Sequence, residues 1–360
     1  MSPSLRFPEF TGEWENKRIG DIGKFFSGGT PSSSRKDFYG GEIPFIRSGE
    51  IHSDKTELFL TQEGYKNSSA KMVEVGDILL ALYGANSGDI SISQMRGAIN
   101  QAILCIRTNV APVFFKSVWE KHAQKILNTY LQGGQGNLSA DIVKKITISI
   151  PSQIEQAKIA ALFSHLDERI SIQNRLIDRL QSLMIGIAQK IAHSNKPNVR
   201  ISDCLECSSS ALQESEVNKT GKYPVYGANG IVGYIDKYHT QNEAIYIIKD
   251  GSGVGGVSYV TGKCSSTGTL NILQAKNGHL LKYLYYLLKV FNFVPYKTGM
   301  AIPHIYFKDY GKAKIFCPAY PEQLEYAKLL SSIDGNLRIA LDSLKNFNLQ
   351  KQYLLRHMLI

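Results

Sequence analysis

The chain has 360 residues, of which 43% are hydrophobic, and its formal net charge is +10. This length favours two or three domains with buried cores, and the basic excess favours a polyanionic partner such as nucleic acid. The five cysteines are scattered, which argues against a disulfide framework. No apolar run approaches the roughly 18 residues of a membrane span, and the opening segment lacks a signal-peptide core. We therefore expect a cytoplasmic protein.

The first predicted domain covers residues 1–150 and combines strands with an amphipathic helix. Residues 75–81 and 102–106 are short apolar runs of the kind that forms buried strands. Residues 112–130 place large apolar side chains on one helical face. This mixture indicates an α/β (α+β) domain.

The next segment, residues 151–193, is predicted to form one long helix. Its apolar residues recur at alternating spacings of three and four, which is the seam pattern of a left-handed coiled coil. The predicted seam residues are Leu166, Ile170, Ile177, Leu180, Met184, Ile187 and Ile191. About 40 residues at roughly 1.5 Å each give a helix of about 60 Å, which cannot bury such a stripe alone.

The second half of the chain repeats this order. Residues 194–317 are predicted to form a second α/β (α+β) domain, and residues 318–360 a second long helix. The predicted seam residues of this helix are Ile333, Leu337, Leu344, Phe347, Leu354 and Met358. An offset of 167 residues separates Pro151 from Pro318 and relates both helices position by position. Such an internal duplication predicts pseudo-twofold symmetry.

Connectivity predicts how the two helices run. The first helix leads away from the first domain, and only residues 193–198 link it to the second domain. The second helix must therefore return along the first, as an antiparallel two-helix coiled coil that separates the domains. The alternative is a pair of ordinary core helices in a single domain. Gly335 and Lys351 interrupt the second seam and are expected to soften it.

A glycine-rich segment follows a predicted strand in each domain. Residues 251–256 fit the pattern GxGxxG, but a dinucleotide site needs a helix next and an acidic residue about 20 positions on. Here the chain continues as a strand and lacks such an acid, so we predict a tight hairpin turn, with a counterpart at residues 83–88. These turns either direct backbone N–H groups at DNA phosphates or are purely structural.

The sequence shows no convincing catalytic constellation and no metal-ligand spacing. Cys204 and Cys207 form a CxxC pair without a second pair nearby, and we interpret them as ordinary strand residues rather than a zinc or redox site. The chain has no P-loop and no Asn/Asp-Pro-Pro-aromatic motif. We therefore expect no catalytic residue, no metal and no cofactor in this chain.

Nucleic-acid contacts fit the polar residues better, because cations and hydroxyls hold phosphates while Arg, Asn and Gln recognise base edges. Taken singly, each candidate is more typical of solvated surface; taken as a set, they indicate DNA binding. The candidates in the first domain are Ser27, Thr30, Ser32, Arg35, Lys36, Arg47, Tyr83, Asn86, Arg96, Asn100 and Gln101. Those in the second domain are Lys219, Lys222, Tyr226, Asn229, Tyr234, Lys249, Ser252, Lys263, Lys297 and His304.

Nearly the whole chain resembles the specificity (S) subunit of type I restriction–modification enzymes. The resemblance rests on the order of domains and helices, on the Pro-x-x-x-Glu-Gln start of each helix, and on a Leu-x-Ser-x-Leu/Ile-Asp run at residues 162–167 and 329–334. It also rests on the Gly-Asp-Ile-Leu strand at residues 76–79. The first helix lacks the second proline that the other has at Pro321.

The resemblance implies two target recognition domains, each reading half of a split, asymmetric sequence in double-stranded DNA. It implies spacer helices that bind two methyltransferase subunits, and restriction subunits that join the complex. S-adenosylmethionine, ATP and Mg²⁺ are then expected on those partner subunits, and this chain is non-catalytic by itself. The alternatives are a stand-alone DNA-modifying enzyme and a protein-binding scaffold.

Overall fold

The computed structural model describes residues 2–131, 137–193, 196–299 and 301–360. The chain divides into two compact units. Unit 1 consists of Met1–Gln173 with Ser343–Ile360, and unit 2 of Asn174–Asp342. Each of the two long helices therefore contributes one part to each unit. No described helix is long and apolar enough to cross a membrane.

The described part of unit 1 contains ten strands and three short or medium α-helices besides its parts of the long helices. The strands are β1 (Glu15–Arg18), β2 (Gly23–Ser27), β3 (Tyr39–Ile46), β4 (Phe59–Leu60), β5 (Lys71–Val73), β6 (Ile78–Ala81), β7 (Ile90–Ile92), β8 (Gly97–Ile99), β9 (Ile103–Thr108) and β10 (Thr147–Ile150). The helices are α1 (Gln62–Lys66), α2 (Pro112–Leu131) and α3 (Ala140–Lys145).

The strands of unit 1 form two four-stranded sheets, in the orders β2-β9-β6-β7 and β4-β3-β8-β5, and a separate β1-β10 ribbon. Side chains alternate along β6 because successive residues of a strand point to opposite faces. Ile78 and Leu80 join the cluster that holds Phe114 and Phe115 of α2. Leu79 and Ala81 join the cluster on the other side. Burial on both faces explains why this strand is uniformly apolar.

The first long helix, α4, spans Gln153–His193. Its first turns belong to the unit 1 core, where Ile159, Phe163 and Leu166 lie in the same cluster as α2. Residues 194–195, which fall in the predicted link to the second domain, lie outside the described part of the chain.

Among the described residues of unit 2 are nine strands and three short α-helices, in a similar order. The strands are β11 (Val199–Arg200), β12 (Leu205–Ser209), β13 (Tyr223–Gly227), β14 (Gly230–Ile235), β15 (Glu243–Ile248), β16 (Val257–Thr261), β17 (Ser265–Ser266), β18 (Leu270–Ala275) and β19 (Lys314–Ile315). The helices are α5 (Ile201–Cys204), α6 (Leu281–Lys289) and α7 (Phe307–Tyr310), and the second long helix, α8, spans Tyr320–Met358.

The sheets of unit 2 repeat the topology of unit 1. The ribbon β11-β19 corresponds to β1-β10, and the four-stranded order β12-β18-β15-β16 corresponds to β2-β9-β6-β7. The remaining sheet, β14-β13-β17, has three strands where unit 1 has four. The predicted duplication and the mixed helix–sheet fold of both domains are therefore confirmed, and the units differ most in this second sheet.

Each long helix starts with the same glutamine contact. In unit 1, Gln156 Oε1 accepts a hydrogen bond from the backbone N–H of Ala111 (3.1 Å), and its Nε2 donates to the carbonyl oxygen of Pro151 (2.9 Å). In unit 2, Gln323 accepts from the N–H of Leu280 (2.8 Å) and donates to the carbonyl oxygen of Pro318 (2.8 Å). Both glutamines are buried, so the repeated glutamine has a packing role at the base of each domain.

The thirteen predicted seam residues are all buried or half-buried in the structure. In unit 1, Leu354 of α8 packs on the cluster that contains Leu166 of α4. The guanidinium of Arg169 lies 5.9 Å from the ring centroid of Phe347. Going from Leu166 to Arg169 along α4, the contacted residue on α8 changes from Leu354 to Phe347. Within unit 1 the two helices are therefore antiparallel.

Candidate nucleic-acid interface

The loop after β2 and the turn after β8 meet in unit 1. The backbone N–H of Gly28 donates to the carbonyl oxygen of Asn100 (3.2 Å), and the Thr30 hydroxyl donates to Gln101 Oε1 (2.6 Å). A Cβ atom on Gly28 would lie 1.8 Å from the carbonyl oxygen of Ile99, so only glycine fits. The structure thus brings Thr30, Asn100 and Gln101 together, with Ser27 at the end of the adjoining strand.

The same loop ends in a basic pair. Arg35 Nε and Nη2 donate to the two carboxylate oxygens of Asp37 (2.9 and 2.6 Å), and its guanidinium lies 4.3 Å from the ring centroid of Phe38. The hydrogen bond to Asp37 raises the pKa of Arg35 and lowers that of Asp37. Lys36 and Ser32 are exposed beside this pair. The loop therefore presents one aligned guanidinium, one ammonium and several hydroxyls to solvent.

Arg47 is held by two carboxylates. Its Nη2 lies 2.8 Å from Glu50 Oε1 and 2.9 Å from Glu57 Oε2. Burial alone would raise the pKa of Glu50, but hydrogen bonds from the Arg47 side chain, the backbone amides of Arg47 and Glu57, and Thr56 lower it to about 2. A Cβ on Gly49 would meet Asn86 Nδ2 at 3.6 Å, so Asn86 lies against this same turn.

Two further candidates of unit 1 lie at other positions. Arg96, in the turn between β7 and β8, pairs with Glu74 (3.1 Å). Tyr83 begins the glycine-rich turn after β6 and is half-buried, and burial raises the pKa of its hydroxyl. The first unit therefore places its candidates around the Thr30–Gln101 hydrogen bond, Arg35 and Arg47, with Arg96 and Tyr83 lying apart.

The glycine-rich turn has the same geometry in both units. The N–H of Gly88 donates to the carbonyl oxygen of Ala81 (2.8 Å), and the N–H of Gly255 donates to that of Ile248 (2.9 Å). The φ angles of these glycines are +91° and +90°, a region that side chains rarely adopt. In each unit the turn joins two antiparallel strands. The predicted hairpin is therefore confirmed, and the dinucleotide interpretation of residues 251–256 is excluded by the strand that follows.

In unit 2 a second segment lies beside this turn. The N–H of Ile305 donates to the carbonyl oxygen of Lys249 (2.9 Å), and His304 Nδ1 lies 2.8 Å from Asp250 Oδ1. Lys297 and the bridge between Thr298 and His304 belong to the same segment. Ser252 is exposed within the turn. Lys249 and His304 are thus brought together beside Asp250, while Ser252 lies in the adjoining turn and Lys297 next to the bridge of Thr298 with His304.

The other candidates of unit 2 lie mainly along the hairpin of β13 and β14. Tyr226 pairs with Ile231 and packs edge-on against Tyr246, with 5.8 Å between the ring centroids. Asn229 is exposed in the connecting turn, and Tyr234 pairs with Pro224. The remaining three are exposed lysines. They are Lys219 and Lys222, in the segment that leads into β13, and Lys263, whose ammonium lies 4.9 Å from the Tyr238 ring centroid.

The predicted arginines of unit 1 differ from the predicted lysines of unit 2 in their ion pairing. The three predicted arginines of unit 1 all form ion pairs with carboxylates of their own unit. The five predicted lysines of unit 2 have no ion-pair partner among the described residues. An arginine held in an ion pair has a fixed orientation that suits bidentate hydrogen bonds. A lysine without an ion pair supplies a mobile point charge that suits phosphates.

Sequence reasoning missed the carboxylates and the ring that organise these cations. Asp37, Phe38 and Glu50 lie within three residues of the arginines they contact, so the spacing of Arg35-x-Asp37 and Arg47-x-x-Glu50 was the available signal. Glu57 and Glu74 could not be assigned in this way, because their pairing depends on how distant strands meet.

One group of the described residues has the ligand atoms to hold a metal ion. The side-chain ligand atoms of Cys204, His279 and Cys317 in unit 2 all lie within 4.8 Å of one another. Cys207, the other half of the CxxC pair, is not a member of this group.

Comparison with known proteins gives a consistent result. A family model described as the type I restriction modification DNA specificity domain matches residues 11–182 and again residues 194–346. The MjaIX specificity subunit of Methanocaldococcus jannaschii is 28% identical over 185 residues, which are 47% of this chain and 42% of that protein. The HindI specificity subunit of Haemophilus influenzae is 28% identical over 188 residues, 48% of this chain and 40% of that protein. The matched regions therefore span less than half the length of these relatives.

Solved structures agree on the fold. The S subunit of a type I restriction–modification system from M. genitalium superposes with a TM-score of 0.73 at 16% sequence identity, and the match covers 100% of this chain and 99% of that one. A chain described with the complex assembly and conformational transition of the type I R-M system gives a TM-score of 0.52 at 15% identity, covering 96% of this chain and 97% of that one.

Proposed function

This chain belongs to the family of type I restriction modification DNA specificity domains, and we propose from that premise that it is the DNA sequence-recognition subunit of a type I restriction–modification complex. Each unit recognises one half of a two-part, asymmetric DNA site. The chain is non-catalytic by itself and directs methylation or cleavage by its partner subunits.

The observation that carries this proposal is the repetition of one framework with two different sets of polar side chains. The glycine-rich turns, the four-stranded sheets and the glutamine contacts correspond between the units. The presented groups do not, since the candidates of unit 1 include three arginines in ion pairs, whereas those of unit 2 include no arginine but five lysines and a histidine. Two different recognition surfaces on one chain fit two different half-sites.

The chemistry of these groups suits DNA. Arg47, fixed by Glu50 and Glu57, is proposed to recognise a base edge in the major groove, where guanine offers two acceptors to one guanidinium. Lys36 and Lys222 are proposed to contact phosphates, which give affinity and position without sequence information. Asn86, Gln101 and Asn229 offer amides that suit adenine.

The partners are proposed on the same basis. Within unit 2, Leu176 and Leu183 lie seven residues apart on α4, and they are 43% and 51% exposed. An exposed apolar stripe on a helix suits a protein partner. We assign this stripe to a methyltransferase subunit, with a second such subunit and restriction subunits completing the complex. S-adenosylmethionine, ATP and Mg²⁺ are proposed to bind those partners.

Footprinting of the chain assembled with its methyltransferase partner tests the proposal. Protection of two short segments separated by an unprotected gap is expected, and one contiguous footprint would contradict it. Exchange of residues 14–150 for the corresponding block of another family member should change one half-site and leave the other unchanged. Base methylation or strand cleavage by the pure chain would instead favour the stand-alone enzyme. Binding that ignores salt would favour the protein-binding scaffold, because phosphate contacts give a steep salt dependence.

A further inference from the structure

Three metal-ligating side chains from separate segments converge in unit 2. Cys204 is the last residue of α5, His279 precedes α6, and Cys317 follows β19. Their ligand atoms all lie within 4.8 Å of one another. Both cysteines are buried, with 0% and 8% of their surface exposed, and neither forms a disulfide. The group has the composition of a soft-metal site rather than of an exposed acidic cluster.

The histidine of this group lacks an ordinary partner. Its Nδ1 atom is buried and has no hydrogen-bond partner among the described residues. A buried polar atom without a partner costs free energy, so such atoms are few in folded proteins and usually have a specific explanation. A bound cation would supply the missing interaction.

Unit 1 provides an internal comparison at the same three positions. The offset of 167 residues relates Cys317 to Ile150. At the start of the domains, Arg18-Ile19-Gly20-Asp21-Ile22 aligns with Arg200-Ile201-Ser202-Asp203-Cys204, and this offset of 182 residues relates Cys204 to Ile22. Ala111 and Leu280 donate the corresponding hydrogen bonds to the two glutamines, so these two residues are equivalent. The residues that precede them, Val110 and His279, are therefore equivalent as well.

In unit 1 these three counterparts are apolar. Val110 and Ile150 are buried in the main core, and Ile22 packs against it. The fold therefore does not require cysteine or histidine at this corner. In unit 2 all three apolar residues are replaced, and each replacement is a residue that can bind a metal ion.

We propose that Cys204, His279 and Cys317 form a zinc site in unit 2. Thiolate and imidazole are the preferred ligands of Zn²⁺, and each thiol would release its proton to solvent on binding. Ligand atoms in a tetrahedral zinc site lie about 3.5–3.8 Å apart, so movements of about 1 Å close the site. Water takes the fourth position. The metal joins the end of α5, the start of α6 and the segment that leads into α8.

This site lies outside the proposed DNA-recognition groups and does not depend on them. Cys207 shares the CxxC motif with Cys204 but is not one of the three ligands. It is half-buried on β12 and serves as the control cysteine. The interpretation of both cysteines as strand residues is correct for Cys207 and wrong for Cys204, which ends the short helix α5.

The first test measures metal in the full chain, purified under reducing conditions without chelators. About one zinc ion per chain is expected by elemental analysis. Removal of the zinc and anaerobic addition of Co²⁺ should give the sulfur-to-cobalt charge-transfer absorption and the strong ligand-field bands of tetrahedral thiolate coordination. A fully reduced chain that binds neither Zn²⁺ nor Co²⁺, or a disulfide between Cys204 and Cys317 in the freshly purified protein, would overturn the proposal.

The second test uses the residues of unit 1 as replacements. The triple variant Cys204→Ile, His279→Val, Cys317→Ile should fold and lose the zinc and the cobalt spectrum, while Cys207→Ser should keep both. If the triple variant fails to fold, Cys317→Ser alone should show a weakened zinc affinity and an altered cobalt spectrum. A variant that keeps the full zinc content and the unchanged cobalt spectrum contradicts the assignment.

Discussion

The ammonium of Lys351 lies 2.7 Å from a carboxylate oxygen of Asp167 on the facing long helix. The same ammonium lies 2.8 Å from Glu120, and Lys116 lies 2.6 Å from Asp167 and 3.2 Å from Glu120. Two lysines and two carboxylates thus alternate at one place in unit 1. Burial alone would raise the pKa of Asp167, but hydrogen bonds from the two lysines lower it. The polar interruption of the second seam is therefore a paired charge.

Removal of the Lys351 charge tests this network. Lys351→Met introduces the residue found at the duplicated position, Met184, and leaves two carboxylates with one lysine. We expect the free energy of unfolding to fall by about 1–2 kcal/mol, since the group is mostly but not fully buried. Urea denaturation measures this. Lys345→Met, at an exposed position on the same helix, should cost nothing measurable, and equal stability of both variants would contradict the expectation.

Adjacent residues of α4 test the buried stripe. Met184 is 4% exposed and Leu183 is 51% exposed. Met184→Glu should destabilise the chain by about 3 kcal/mol, because it buries an unpaired charge. Leu183→Glu should leave the thermal melting of the isolated chain unchanged and weaken its binding to the proposed methyltransferase partner. Equal melting temperatures for the two variants would show that Met184 is not part of a buried seam.

Glu50 predicts a pH dependence of stability. Its pKa is about 2 in the folded chain, against an ordinary value of 4.5. The unfolded chain therefore takes up this proton first, so the stabilisation is complete above about pH 4.5 and is lost as the pH falls towards 2. With allowance for solvent screening, we expect about 2 kcal/mol at neutral pH.

Acid titration of stability measures this effect. Glu50→Gln should be less stable than the parent at neutral pH, and the difference should shrink across the acidic window. Glu57→Gln is the matched control, because Glu57 contacts the same arginine but its side chain is 86% exposed. A constant difference between Glu50→Gln and the parent at every pH would contradict the assigned pKa.

Lys36 tests the phosphate contacts of the first recognition loop. Lys36→Ala, in the chain assembled with its methyltransferase partner, should weaken binding to all DNA sequences alike. It should also reduce the slope of log affinity against log salt by about 0.9, the value for one lost phosphate contact. Lys145→Ala, an exposed lysine outside the candidate set, is the control. A change of sequence preference without a change of slope would place Lys36 at a base instead.

Much of the fold could be predicted from the sequence because its signals are local or repeated. The heptad spacing of α4 and α8 and the fixed offset between them are visible in single letters, as are the apolar runs of β6 and β15. The two-residue strand β19 was harder to delimit, since a short strand has little periodicity. The exact helix starts depended on the buried contacts of Gln156 and Gln323, which spacing alone does not show.

The candidate interface was predictable in composition but not in arrangement. Thr30 and Gln101 are 71 residues apart and share a hydrogen bond that only the folded chain reveals. The carboxylates that orient Arg47 and Arg96 were missed for the same reason. The convergence of Cys204 and Cys317, which lie on opposite sides of unit 2 in the sequence, likewise requires the pairing of β11 with β19.

The glutamine contacts at the helix starts have an evolutionary consequence. Gln156 and Gln323 bond to main-chain atoms of their domains, and main-chain atoms are present whatever side chains the domain carries. A gene that acquires a foreign block ending just before Pro151 or Pro318 would keep this anchor intact. If the proposed function holds, a new DNA specificity acquired in this way would need no matching change at either glutamine.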